Sequence, residues 1–495
     1  MAAAKQVMPS EELLSPFSRL FSLPGQDCFN IITMGCKTEG NAHAIIEGLK
    51  NTLINHPRFS SILETGLGEH NVKAKWIPTT VKVEDHVIVP DIDPNIENPD
   101  QFLEDYTTNM ALSPMDKSKP LWEFHLLQLK TSYAGSVAVA RFHHSLGDGM
   151  SLMSLLLACT RKTCDPEALP TLVVPKKSNA RHICWSLIAW FWFIVRLLFH
   201  TVVEIFKSMV IVCFARDNAT PLKGKPGATI SVNKFIHRIF NLDDVKVVKN
   251  AMNMTVNDVL LGTVQAGLSR YLSQRFDLNK TSKSRKILEK NSIYGVVFFN
   301  LRPNRNIEDL AKMMEKGSKS RWGNSIGYVL FPLWVRLEED TLEYIRRAKS
   351  TMDRKKLSLE PIFSFALLKF TMKVLGLKHI TDVRIWMCVG MENQALKNLV
   401  HSIFSRTSVI FTNVVGPDEE ISFFDHEISY IAASSCGVPQ GLTIHIQSYV
   451  KKVIINLAVD LNVIPDPHHL CDLIIDSLNS MKSAVLEMDS HRLEV

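Results

Sequence analysis

Over the first 180 residues the apolar and polar positions switch repeatedly between a helical and a strand period. Residues 41–53 repeat at helical spacing and stop before His56-Pro57-Arg58-Phe59, because the residue preceding a proline disfavours the helical region. Residues 81–89, 121–129 and 136–142 carry the alternation of strands. A short polar loop through Gly147-Asp148-Gly149 follows the last of these, and a helix is predicted from 150 to about 159. The predicted local order is therefore strand, tight polar loop, helix.

Residues 183–214 break the rhythm, because they are apolar over a length that could cross a bilayer, for which ~20 helical residues suffice. By hydropathy alone, about 186–206 is expected to read as a single span. Arg196, His200, Glu204 and Lys207 interrupt the run at spacings of four, four and three, so they fall on one narrow helical face. A lipid-surrounded span rarely tolerates such a stripe. It fits a helix lying in the membrane interface or one that turns the stripe towards the protein, and a long amphipathic core helix carries the same pattern.

From 218 to 228 the chain turns to Pro, Gly and Lys (PLKGKPG), the composition of a linker, and a second lobe is expected to begin there. Its predicted strands are 294–300, 406–411, 427–433, 442–449 and 453–459. The basic segment 280–290 reads as a solvated loop that could also touch anionic lipid headgroups. The predicted division is a first lobe over 1–182, the apolar helix over 183–214, a linker over 215–228 and a second lobe over 229–495.

Composition narrows the class. The 495 residues are 46% hydrophobic and 21% charged, the balance of a folded globular chain of two or three domains. The net charge of +6 is spread along the sequence, whereas nucleic-acid binders concentrate theirs, so no nucleic acid is expected as partner. Nine cysteines, odd in number and never spaced C-x-x-C, indicate neither a disulfide framework nor a zinc site and suit lobes facing the reducing cytosol. The first 14 residues lack the apolar core of a secretory signal.

The strongest chemical signal is Arg141-Phe142-His143-His144-Ser145-Leu146-Gly147-Asp148-Gly149, where a strand gives way to a loop and can hold a polar side chain in a cleft. A His-His-Asp metal site would require adjacent strand residues, which face opposite ways, to converge on one ion. A nucleophilic triad lacks a G-x-S-x-G elbow. General-base catalysis needs only one imidazole near its working pKa, and its neighbour is then free to pack. His468-His469 has no x-x-x-Asp-Gly continuation and follows Asp466-Pro467, a helix start; it is not read as a site.

His143-His144-x-x-x-Asp148-Gly149 resembles the active-site motif of the coenzyme A-dependent acyltransferase superfamily, which includes chloramphenicol acetyltransferase, plant acyl-CoA-dependent acyltransferases and peptide-synthetase condensation domains. Further along, Pro120-Leu121-Trp122-Glu123, Asn257-Asp258-Val259-Leu260, Asn300-Leu301-Arg302-Pro303, Trp322-Gly323-Asn324 and Thr412-Asn413-Val414-Val415-Gly416-Pro417 fall in the order found in the bifunctional wax ester synthase/diacylglycerol acyltransferase family. The resemblance spans about 14–483 and looks like the plant branch; Thr412 stands where many members have Ser.

The resemblance implies an α/β (α+β) fold of two chloramphenicol-acetyltransferase-like lobes with mixed sheets and a tunnel between them, plus the one long membrane-associated helix. It implies transfer of a long-chain acyl group from acyl-CoA, a co-substrate rather than a bound cofactor, to a fatty alcohol or to diacylglycerol, with no acyl-enzyme and no metal. His144 would be the general base, and His143 a supporting neighbour or a packed strand-end imidazole. Asp148 would brace the loop through an arginine, for which Arg302 is the candidate, as a bidentate pair. Gly149 would let the backbone turn into the helix. Trp122, Asn257, Asp258 and Asn413 are candidate substrate contacts; Trp122 could equally be core, Asn257-Asp258 a helix cap and Asn413 part of a turn. If both lobes share one channel, a single membrane crossing at 183–214 would put His144 and Asn413 on opposite sides, and two crossings would need about 40 residues plus a turn. An in-plane helix is therefore expected, on an endoplasmic reticulum membrane with cytosolic lobes, the plasma membrane being the second location. The rival expectations are acylation of a soluble phenolic or terpenoid alcohol, and a silent lipid-binding protein.

Overall fold

The chain lays down β1 (Phe29–Cys36), β2 (Val87–Ile88), β3 (Trp122–Leu127), β4 (Ser136–His143) and β5 (Thr160–Lys162) before the long apolar helix. The computed structural model describes residues 12–22, 27–64, 74–170, 183–214, 222, 232–275, 293–302, 322–376, 407–437 and 440–493. The expected linker at 215–228, apart from Leu222, and the basic segment 280–290 lie outside the described residues. Strands β1 and β4 are buried at all eight positions each, which is why their sequences read as near-continuous apolar runs.

The helices of this half are α1 (Pro16–Phe21), α2 (Ala42–Asn51), α3 (Pro99–Leu112) and α4 (Gly149–Ala158). Side chains of Asn41, Asn98 and Asp148 cap α2, α3 and α4 by accepting first-turn N–H groups. The strand expected over 81–89 is reduced to the two residues of β2, because Val83–His86 wind into a 3-10 turn that buries the His86 ring against Trp122.

After α5 (Ile183–Phe214) come β6 (Lys234–Asn241), α6 (Leu242–Ala251), α7 (Val256–Arg275), β7 (Ile293–Asn300), β8 (Ile326–Leu333), α8 (Glu343–Lys356), α9 (Glu360–Gly376) and β9 (Val409–Val414). Here the chain leaves the second lobe. Strands β10 (Ile421–Phe423) and β11 (His426–Cys436) join the first sheet, β11 pairing antiparallel with β1, for a strand order of β2-β3-β4-β1-β11-β10-β5. It then returns with β12 (Leu442–Tyr449), β13 (Lys452–Val459) and α10 (Pro467–Leu493), and the second sheet runs β8-β7-β9-β12-β13-β6. These two larger sheets are mixed: β2–β3 pair in parallel in the first, β7–β9 and β9–β12 in the second.

The expected boundary is thereby corrected, since 421–436 belongs by hydrogen bonding to the first lobe although it lies far inside the 229–495 span. Alternation along 427–433 announces a strand but not its partner. The crossing strand welds the halves, and the apolar face of the second sheet that carries Ile454 and Ala458 packs into the first lobe's core. A separate core lies on the other face, where α7 and α10 pack over Ile444, Ile446, Ile455 and Leu457.

Helix α5 is bolted to the second lobe along one line. Glu204, 1% exposed, meets Arg354 at 2.8 Å and Lys355 at 2.6 Å, and Lys355 also reaches Glu360 at 2.7 Å. Ser208 Oγ donates to Glu360 Oε1 at 2.6 Å, and Thr201 Oγ1 accepts the Leu359 N–H at 2.9 Å. Positions 201, 204 and 208 share one face of the helix. Of the four polar residues noticed in the sequence, Glu204 is buried there, while Arg196 and Lys207 are exposed. Trp190, Phe191, Phe193, Phe199, Val202 and Phe206 are also exposed.

Candidate active site

His143 is the last residue of β4 and His144 the first beyond it, so the strand end aims the two rings apart. His143 is fully buried away from the cleft. The Ser145 N–H donates to its Nδ1 at 3.2 Å, which leaves Nε2 to donate to Asp27 at 3.3 Å, and Lys117 holds Asp27 from the other side at 2.8 Å. The hydrogen bond from His143 is the main reason the Asp27 carboxyl is pulled down to about 2. His143 thus holds the loop from behind.

His144 faces a cavity of about 240 Å³ whose lining also includes Phe21, Asp148, Gly149, Met153, Phe298, Tyr328, Leu368, Thr412, Asn413, Ser435, His445 and Gln447. Both lobes and the crossing strand contribute. Phe21 of α1 stacks on the His144 ring at 4.1 Å between centroids, and the ring's Nδ1 has no hydrogen-bond partner in another described residue. Burial pushes the imidazole down to about 4, against the opposing pull of its own backbone and of Asp148. The ring is therefore neutral at pH 7, with a lone pair to offer.

The loop after His144 is held at nearly every residue. Ser18 Oγ donates to the Ser145 carbonyl at 2.7 Å, Trp322 Nε1 and Arg58 Nη1 donate to the Leu146 carbonyl at 2.7 and 3.2 Å, and Asn324 Nδ2 donates to the His144 carbonyl at 3.1 Å. Asp148 caps α4 with Oδ1, which accepts the Ser151 N–H at 2.9 Å. Its Oδ2 accepts from the Ser325 N–H at 2.8 Å and from Arg302 Nη2 at 2.9 Å. The expected bidentate geometry is replaced by this division of labour, because the helix N-terminus claims one carboxylate oxygen. Arg302 also donates to Asn300 Oδ1, Ser151 Oγ and the Gly323 carbonyl. Gly323 has φ +113°, a conformation that favours glycine, and this turn aims its carbonyl at Arg302 and Ser151.

The remaining sequence candidates separate clearly. Asn413 lines the cavity, and its amide donates to Asn257 Oδ1, so Asn257, itself exposed and outside the lining, reaches the site through Asn413. Trp122 is corrected to core: it is 1% exposed, stacks on His86 and donates Nε1–H to the Phe59 carbonyl at 2.8 Å. Asp258 is corrected to a helix cap: Asp258 Oδ2 accepts the Thr255 N–H at 3.0 Å while Thr255 Oγ1 accepts the Asp258 N–H at 3.2 Å, and neither residue lines the cavity. Gly149 is also corrected. Its φ is not positive and a Cβ there would meet nothing within 4 Å, so the glycine keeps the cavity open and is not required by the turn.

Two family models match the chain: the wax ester synthase/diacylglycerol acyltransferase catalytic domain over 44–260 and the WS/DGAT C-terminal domain over 322–482. Wax ester synthase/diacylglycerol acyltransferase 2 of Arabidopsis thaliana is 68% identical over 495 residues, covering 100% of both chains. The chain belongs to the wax ester synthase/diacylglycerol acyltransferase family. A second Arabidopsis thaliana relative, wax ester synthase/diacylglycerol acyltransferase 3, is 54% identical and covers 100% of this chain and 98% of its own. Among solved structures, the wax ester synthase/diacylglycerol acyltransferase of Marinobacter aquaeolei VT8 superposes with a TM-score of 0.56 at 15% identity, covering 96% of this chain and 99% of that one. The first condensation domain of the CDA synthetase gives 0.54 at 11% identity, covering 96% of both. These likenesses show the two-lobed fold that the motif implied, and the identity to the plant members makes the chain an acyltransferase.

Within this family fold, most of the cavity lining escaped sequence reading, including Phe21, Ser435, His445 and Gln447. Phe21 lies in a six-residue helix with no motif around it. His445 and Gln447 sit in β12, where polar residues at 443, 445 and 447 alternate with apolar ones. A strand from the middle of a sheet with one polar face was the available sign of a cavity behind it. Ser435 lies in β11, whose sheet could not be foreseen.

Proposed function

We propose that this acyltransferase moves a long-chain acyl group from acyl-CoA to the hydroxyl of a fatty alcohol, giving a wax ester, and to diacylglycerol, giving triacylglycerol. The observation that carries the reading is the neutral His144 ring opening into a mainly apolar cavity built by both lobes. The imidazole takes the hydroxyl proton as the alcohol oxygen attacks the thioester carbon, then returns it to the departing CoA sulfur. His144 needs no nucleophilic partner, and no acyl-enzyme forms. Acyl-CoA is a co-substrate; a starter condensation domain of this fold, at a TM-score of 0.53, was solved in complex with C8-CoA.

The reading extends to a membrane. Ile188–Ile211 is 24 residues long and apolar enough to cross a bilayer, at ~1.5 Å per residue about 36 Å. Yet Glu204 ties it to α8, Ser208 to α9 and Thr201 to Leu359 between them. His144, before the helix, and Asn413, after it, line one cavity. Both facts favour a helix lying in the plane of the membrane, its aromatic face in the lipid and its polar line on the protein. Helix α9, which contacts α5, also exposes Ile362, Phe363, Leu367 and Phe370, and its Leu368 lines the cavity with His144, which suits acceptors dissolved in lipid. The six described cysteines that are free thiols suit cytosolic lobes on the endoplasmic reticulum or plasma membrane.

Purified protein is incubated with labelled palmitoyl-CoA and either hexadecanol, diacylglycerol or a soluble phenolic alcohol, and the products are identified. Hexadecyl palmitate and triacylglycerol are expected, with at least about a hundredfold less from His144→Ala. Preferred turnover of the phenolic alcohol overturns the acceptor assignment. In sealed microsomes, tags at the two termini should show equal protease accessibility, and opposite accessibility rejects the in-plane helix.

A further inference from the structure

Strands β9 and β12 are parallel neighbours whose register sets Thr412 beside His445 and Val414 beside Gln447. His445 and Gln447 are two residues apart on β12, so they share the face that lines the cavity, about 6.6 Å from each other along the strand. Gln447 is 2% exposed. Its surroundings are apolar, with Val414 on the next strand and Leu152 and Met153 of α4 in the same lining. The side-chain amide is poorly served there. Nε2 points at the Met153 sulfur at 3.9 Å, a weak acceptor, and Oε1 has no hydrogen-bond partner among the described residues. The last torsion of a glutamine is broad, so an amide held this weakly turns easily and can present either end to the cavity. A leucine or methionine would fill much of the same space without burying polar atoms, and a ligand that pairs with the amide accounts for the difference.

The ligand has to carry an N–H or O–H, because Oε1 can only accept. Fatty alcohols and diacylglycerols offer one hydroxyl hydrogen, which the proposed reaction gives to His144, and otherwise only acceptors or hydrocarbon. The acyl-CoA donor differs. Its pantetheine arm carries an amide two methylenes from the sulfur, and an amide supplies both the N–H that Oε1 lacks and the carbonyl that Nε2 lacks. Four bonds separate the thioester carbon from that nitrogen, a span comparable with the step along β12 from His445, which lies close enough to His144 to feel its charge, to Gln447. We propose that the Gln447 side chain binds the first amide of the pantetheine arm of acyl-CoA and so sets the thioester carbonyl beside His144. The inference rests on the proposed ester-forming reaction and deepens it by naming the residue that reads the donor. No bond to Gln447 forms or breaks; its two hydrogen bonds hold the arm against the strand. A buried amide that is left unpaired by an arm without one discriminates against thioesters of plain alkyl thiols.

The test pairs Gln447→Leu and Gln447→Met with three acyl donors in the full chain, with hexadecanol as acceptor. The donors are palmitoyl-CoA, S-palmitoyl-N-acetylcysteamine, which keeps the amide, and S-pentyl thiopalmitate, which has methylenes in its place. Thermal melting establishes that each variant is folded. Either substitution should lower kcat/KM for the two amide-bearing donors by about ten- to hundredfold, and for the pentyl thioester by less than about threefold. Wild type should prefer the N-acetylcysteamine ester to the pentyl ester, and both variants should lose that preference. KM for hexadecanol should stay within about twofold of wild type. Palmitoyl-CoA binding, measured by calorimetry without acceptor, should weaken in parallel. Equal losses on all three donors, unchanged kcat/KM for palmitoyl-CoA in both folded variants, or a selective rise in KM for hexadecanol overturns the assignment. If wild type binds palmitoyl-CoA but forms no ester, the underlying reaction fails instead, and the binding comparison still decides the role of Gln447.

Discussion

Replacing Asp148 by alanine tests how the catalytic loop is held. The carboxylate is 2% exposed and its partner Arg302 11%, so solvent does little to screen them. Three hydrogen bonds are lost together: from the Ser151 N–H at the start of α4, from the Ser325 N–H and from Arg302. Removing one member of a buried ion pair costs about 3–5 kcal/mol. Asparagine separates the contributions. It offers one acceptor oxygen where aspartate offers two, so the amide nitrogen must face either Ser151 N–H or the Ser325 and Arg302 donors. The first arrangement sacrifices only the cap and the charge, at about 2–3 kcal/mol. At ~2–4 °C per kcal/mol for lobes of this size, the alanine variant should melt roughly 6–20 °C below wild type and the asparagine variant about half as far. Because the His144 backbone is tied to the same turn through Asn324, displacement of the loop by about 1 Å should also cost on the order of 10²-fold in kcat. Scanning calorimetry or thermal shift, paired with ester formation well below the melting range, measures both. An alanine variant within about 1 kcal/mol of wild type and fully active would refute the brace.

Other outcomes follow from the same contacts. Since burial holds His144 near pKa 4, kcat/KM should stay flat from pH 8 down to about 5, and an acid limb centred near 6.5 would contradict the enclosed neutral base. Stability should behave differently. Burial also holds the His56 ring down to about 3 and His237 and His445 to about 4, below the ~6.5 of an unfolded chain, so the unfolded state binds more protons between these values. Their contribution is full above pH 6.5 and drains away as pH falls towards 4; a melting temperature unchanged over that window would count against it. Trp122→Ala should destabilise by about 3–5 kcal/mol while KM for hexadecanol, measured on folded protein, stays put; a selective rise in KM would return Trp122 to the pocket. Gly149→Leu should fold normally, because no atom lies within 4 Å of a Cβ there, yet lower turnover of long-chain acceptors at least about tenfold by entering the cavity. Unchanged turnover of hexadecanol would show that Gly149 does not border the acceptor path.

Much of the fold is legible because it is written locally. Residues 442–449 and 136–142 are found within a residue of their observed strands, and Asn41 and Asp148 cap the helices that follow them. Strands β6 and β8 carry no clean alternation and go unnoticed: β6 mixes half-buried positions on both faces, and β8 (IGYVLFPL) has no charged residue to mark its half-buried face. In the site, the His143-His144-x-x-x-Asp148-Gly149 motif locates the chemistry, but Trp122 and Asp258 look the same on paper whether they face substrate, core or a cap. What decides Trp122 is the Phe59 carbonyl waiting for its N–H, and what decides Asp258 is Thr255 three residues earlier.

The amino-acid order by itself determined the strand end that presents His144, the helix start behind Asp148, the narrow polar line on 183–214 and the family. Each of these depends on residues within a few positions of one another, where caps and periodicity act. Only the tertiary structure decided that 421–436 crosses into the first sheet, that Arg302 shares Asp148 with Ser151 and Ser325, and that His445 stands beside Thr412. Those outcomes depend on strand register and on partners more than a hundred residues away or in another sheet. An alternating pattern says which side chains share a face, and leaves open which face they meet.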